Sequence, residues 1–96
     1  MIQSFGDAAT EALFHGRGGK AVRGIPADLR AGSIRKLDLL NGAAELRDLG
    51  SPPGNRLEAL KGDLEGRHSI RVNDQWRIVF RWTDAGPADV SLIDYH

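Results

Sequence analysis

Gln75-Trp76-Arg77-Ile78-Val79-Phe80-Arg81-Trp82 alternates with a period of two: Trp76, Ile78, Phe80 and Trp82 fall on one side of an extended chain, Arg77, Val79 and Arg81 on the other. A stretch so rich in aromatic and β-branched residues reads as a strand with one face turned to a core. Asn73-Asp74 precedes it and Thr83-Asp84-Ala85-Gly86-Pro87 follows it, both turn signals. Beyond these lie further short runs. Separators this short predict four strands, at 56–60, 67–72, 75–82 and 88–95, paired in an antiparallel meander.

Upstream of Ser51-Pro52-Pro53-Gly54, where two prolines stop any helix, the spacing becomes helical. Asp7 is expected to cap a short helix through Ala8, Ala9, Ala12, Leu13 and Phe14 that stops at Gly16. Pro26 suits the first turn of a second helix, with Leu29, Leu37, Leu40 and Ala44 facing the core, Ile34 on the flank, and Arg30, Arg35, Lys36 and Asp38 outward. Leu46 and Leu49 add a final turn beneath the core. Ile2 to Phe5 reads as an edge strand, and residues 16–20 as a turn with solvated charges. The expectation is an α+β fold, with two N-terminal helices packed on one face of a small, mainly antiparallel sheet, in a single domain over residues 1–96.

The chain has 96 residues, with 13 Lys+Arg against 13 Asp+Glu and no cysteine. This excludes a disulfide framework, a thiolate nucleophile and a cysteine-based zinc site, and makes a reducing, cytoplasmic setting the default. No apolar stretch approaches the roughly 18 residues of a membrane span, and the opening lacks the pattern of a signal peptide. Zero net charge argues against tight autonomous binding to nucleic acid, so any polyanion contact must be local.

Local charge is concentrated by strand parity. Opposite the core face, Arg67, Ser69, Arg71 and Asn73 lie beside Arg77 and Arg81. A solvated sheet face is ordinarily polar. Between Arg56 and Arg81, however, arginine outnumbers lysine five to one, and guanidinium matches phosphate oxygens bidentately. Glu58 neighbours this face, where its ordinary role would be as a partner for Arg56 or Arg71. The apolar run Val90, Leu92, Ile93 leads into Asp94-Tyr95-His96. His15 at a helix end and His68 at core parity suit capping and packing.

Three segments carry a resemblance. Pro52-Pro53-Gly54-Asn55-Arg56-Leu57-Glu58-Ala59-Leu60-Lys61-Gly62-Asp63, then His68-Ser69-Ile70-Arg71-Val72-Asn73-Asp74-Gln75-Trp76-Arg77-Ile78, then Asp94-Tyr95-His96 resemble the HigB branch of RelE-type toxins. Met1 to Phe5 and Glu11-Ala12-Leu13-Phe14 fit as well. The resemblance implies a ribosome-dependent mRNA endonuclease held inactive by a HigA-type helix-turn-helix antitoxin, with operator DNA touched only through that antitoxin. It implies attack by a ribose 2'-OH on its own 3'-phosphate, with no metal or cofactor. By position, Lys61 and Arg77 match the family's phosphate-stabilising cations, and Asp94, Tyr95 and His96 its carboxy-terminal motif. Arg56, Arg71 and Arg81 are added from the basic face as RNA contacts. Glu58 stands where some HigB toxins have histidine, so base and acid roles divide between Glu58 and His96; carboxylate and imidazole suit this at neutral pH. The alternative is a catalytically inactive relative that binds its antitoxin and acts as a co-repressor through it.

Overall fold

The computed structural model describes residues 1–94. Asp7 accepts from the Thr10 N–H at 2.7 Å and opens α1 (Ala8–Phe14); α2 (Arg30–Gly42) follows. Then come β1 (Glu58–Ala59), β2 (His68–Arg71), β3 (Trp76–Thr83) and β4 (Gly86–Asp94), each antiparallel to the next in the order β1-β2-β3-β4. Short 3-10 turns at Gly19–Val22, Ala27–Leu29, Leu46–Gly50, Pro53–Asn55 and Gly62–Leu64 fill the connections.

The expected apolar face is the core. Ile70, Ile78, Phe80, Val90 and Leu92 pack against Ala12 and Leu13 of α1, Leu37 and Leu40 of α2, and Val22, Ile25, Leu29 and Leu49 from the turns. Trp76 and Trp82 flank this cluster, and His68 stacks on Phe80 with ring centroids 6.2 Å apart. The helices therefore cover one face of the sheet, and the other is left for function. No helix among the described residues is long and apolar enough to cross a membrane.

Several local expectations are corrected. Residues 2–5 form no strand: Phe5 makes one parallel bridge to Val90, and beyond it the Asp89 N–H donates to the Ser4 hydroxyl at 2.9 Å and the Gln3 N–H to the Pro87 carbonyl at 2.7 Å. Asp89 itself is left-handed at φ 53, and the β3–β4 register shifts between Val79 and Arg81. The second helix stops at Gly42 without reaching Ala44, because the Asp48 carboxylate accepts from the Ala44 and Glu45 N–H groups at 3.0 and 2.9 Å. Pro26 precedes a 3-10 turn and lies outside the α-helix. Arg30 does not face outward but folds back, donating to the carbonyls of Ile25 at 2.9 Å and Val22 at 3.0 Å. The first strand shrinks from 56–60 to Glu58–Ala59, since Arg56 has φ 45 and cannot extend it.

Candidate active site on the second face of the sheet

Register decides what meets on the uncovered face. Glu58 pairs with Ser69 and Ser69 with Val79, while Arg71 pairs with Arg77 in the neighbouring row. Arg77 is thus one diagonal step from Ser69 and two strands from Glu58. Its guanidinium spans that gap: Nε donates to Ser69 Oγ at 2.7 Å, and Nη2 to the Arg56 carbonyl at 2.6 Å, with Glu58 Oε1 3.9 Å from the same nitrogen. Sequence parity put Arg77 on a solvated face, yet it is only 8% exposed. The segment Pro53–Asn55 and the left-handed Arg56 bring main chain over it and supply the acceptor.

Around this contact Arg56, Glu58, Arg71, Asn73, Asp74 and Arg77 line a cavity of about 340 Å³. Three guanidinium groups meet two carboxylates there, the half-exposed Glu58 and the exposed Asp74, an arrangement that suits a phosphate and an adjacent hydroxyl. Arg71 is ion-paired with Asp74 at the rim. Glu58 pairs with Arg77, a different partner from the Arg56 or Arg71 expected of it. A larger cavity of about 780 Å³ lies between α2 and the turn Leu46–Gly50, and its lining, with Arg35 and Lys36 set against Asp38 and Asp48, carries no such concentration of one charge.

Not every candidate gathers here. Arg81, beyond the register shift, is exposed and paired with Asp89 at 3.1 Å, away from the cavity lining. Lys61 is exposed where the chain enters the turn Gly62–Leu64, also outside that lining. Arg67 is half-buried beside the turn, so the four arginines of the parity argument do not form one patch. Asp94 ends β4 opposite Trp76 and accepts from Gln75 Nε2 at 3.0 Å. Tyr95 and His96 lie outside the described residues. Among the described residues no group of three His, Asp or Glu side chains comes together as a metal site. Ser69 and Asn55 were missed: both are fully buried polar side chains, and a serine or asparagine in sequence carries no mark of its burial.

Helices on one face of a short antiparallel meander, and a guanidinium–carboxylate cluster on the other, define an α+β protein of RelE-like type. A family model described as "RelE-like toxin of type II toxin-antitoxin system HigB" matches residues 3–96, and the chain belongs to that family. It is 46% identical over 77 residues to Toxin HigB-1 of Vibrio cholerae, covering 80% of each chain. It is 33% identical over 97 residues, the full length of both, to Endoribonuclease HigB of Proteus vulgaris. An uncharacterized protein of Haemophilus influenzae is 40% identical over 58 residues, 60% of this chain and 57% of its own. As a toxin of a two-component system, the chain has an antitoxin for a partner.

Proposed function

We propose that this toxin is a ribosome-dependent mRNA endonuclease acting in the cytoplasm, restrained by a HigA-type helix-turn-helix antitoxin through which alone it meets operator DNA. The observation that carries the reading is the Arg77–Glu58 pair at 3.9 Å, set in a basic cavity on the face the helices leave open. The relative named as an endoribonuclease supports it over the full chain.

In the reaction, a base removes the proton of a ribose 2'-OH, the oxygen attacks the adjacent phosphorus, and the bond to the leaving 5'-oxygen breaks as an acid protonates it. Products are a 2',3'-cyclic phosphate and a 5'-hydroxyl. Glu58 is the base of this scheme and His96 the acid, with Asp94 and Tyr95, which precede it in sequence, as further members of the site. Arg77 in the cavity and Lys61, exposed outside its lining, are the cations assigned to offset the charge of the phosphorane, while Arg56 and Arg71 in the cavity and Arg81 outside it are assigned to flanking phosphates. No metal is assigned a step. A neutral protein binds RNA weakly by bulk charge, so the ribosome supplies the in-line geometry.

The test is primer extension on mRNA in programmed ribosomes, against the same RNA free in solution. Cleavage on the ribosome, ends bearing cyclic phosphate, and nearly intact free RNA are expected. Efficient cutting of free RNA would overturn the ribosome dependence; no cutting in either case, with antitoxin binding intact, would favour the inactive co-repressor.

A further inference from the structure

The contact that orients Arg77 begins on the far side of the molecule. Asn55, fully buried, donates from Nδ2 to the carbonyls of Leu49 at 3.1 Å and Ser51 at 3.2 Å, while its Oδ1 accepts from Lys36 Nζ of α2. The next residue is Arg56, held left-handed at φ 45, whose carbonyl receives Arg77 Nη2 at 2.6 Å. Two residues on, Glu58 enters the sheet opposite Ser69 and stands 3.9 Å from Arg77. Both groups that confront Nη2 from this segment therefore hang from one buried amide. A left-handed arginine is a costly conformation that surrounding contacts must impose.

We propose that Lys36 and Asn55 are positioning residues for Arg77, fixing through the left-handed Arg56 the carbonyl and the carboxylate that orient its guanidinium. This rests on reading the Arg77–Glu58 cavity as the catalytic site. Lys36 is half-buried and absent from the lining of this cavity; it donates to Asn55, the residue before Arg56, and lines the larger cavity beside α2. Removing its charge thus alters the support and leaves every group lining the smaller cavity in place.

Lys36→Met retains much of the aliphatic stem and is the informative variant, because Asn55→Ala opens a buried polar site and risks unfolding. Two readouts are compared in the full-length protein. One is solvent exchange of the Arg77 Nε–H proton by NMR, which reports its bond to Ser69 without any activity. The other is single-turnover cleavage on programmed ribosomes, separating the maximal rate from the half-saturating ribosome concentration. Lys36→Met is expected to melt close to the parent, speed Arg77 exchange, and lower the maximal rate on the order of tenfold with half-saturation unchanged. Lys36→Arg should restore both, and in an Arg77→Ala background Lys36→Met should cost nothing further.

Unchanged Arg77 exchange in Lys36→Met overturns the proposal, as does a rate loss that persists undiminished on Arg77→Ala. Faster exchange with parental cleavage also overturns it when Arg77→Ala is inactive, since orientation then does not govern rate. If Arg77→Ala itself cleaves at the parental rate while exchange responds to Lys36, the catalytic reading of the cavity fails and the positioning network stands.

Discussion

Arg77 reaches across two strands to donate to the main-chain carbonyl of Arg56 at 2.6 Å, so one guanidinium both seals the second face of the sheet and lines its cavity. Such a group has two consequences on removal. Arg77→Ala strips the Ser69 hydroxyl and the Arg56 carbonyl of their donor, and is expected to cost about 1–3 kcal/mol, read by urea unfolding. Activity should fall on the order of 100-fold or more on the ribosome. Arg35→Ala, on the exposed side of α2, should do neither; equal effects at both positions would remove Arg77 from the site.

Glu58→Gln keeps shape and removes the negative charge beside Arg77. The expected result is a folded protein, with antitoxin binding retained and cleavage lost across neutral pH. Parental turnover would exclude Glu58 as the base.

Arg56→Gly separates strain from function. At φ 45 glycine is at ease where arginine is not, so the melting temperature should hold or rise while RNA cleavage weakens for want of the cation. Full activity would contradict the assignment of Arg56 to the RNA, and a lower melting temperature would contradict the relief of strain.

Thr10 ties α1 to the last strand: its Oγ1 accepts from the Leu92 N–H at 2.9 Å and donates to Asp7 Oδ2 at 3.0 Å. Thr10→Val leaves that buried N–H unpaired and should cost about 1–3 kcal/mol, whereas Thr10→Ser should cost less. Thermal melts of the two variants decide it. The reverse order would show that packing of the methyl, and not the hydroxyl, matters here.

His96 tests the carboxy-terminal motif. The β3–β4 ladder is paired through Asp94 opposite Trp76, a pair that does not itself include His96. The deletion is expected to fold, bind antitoxin and fail to arrest growth. Cleavage at the parental rate would transfer the acid role to Tyr95 or Lys61.

The meander and its core face were legible because alternation at 75–82 is local: each side chain declares its own side. What closes over Arg77 is not local. Parity assigns Arg77 to solvent, and the main chain at the left-handed Arg56, 21 positions earlier, is part of what covers it. Arginine gives no sign of a positive φ, as glycine would. Lys36 and Asn55, 19 positions apart, meet for the same kind of reason, through a turn that packs back on α2. Glu58 stands out in the sequence because a carboxylate among basic residues is chemically conspicuous, though its partner Arg77 follows only from the register.

The outer margin of β4 is occupied by its own chain. Gln3 donates to Pro87, Ser4 and Gly6 bond Val90, and Thr10 takes Leu92, while at the other margin β1 offers two residues. Free backbone is what lets sheets recruit foreign strands and seed aggregates. Among the described residues neither margin is a template of useful length. A foreign strand therefore meets occupied backbone along one margin of the described sheet and a two-residue ladder along the other.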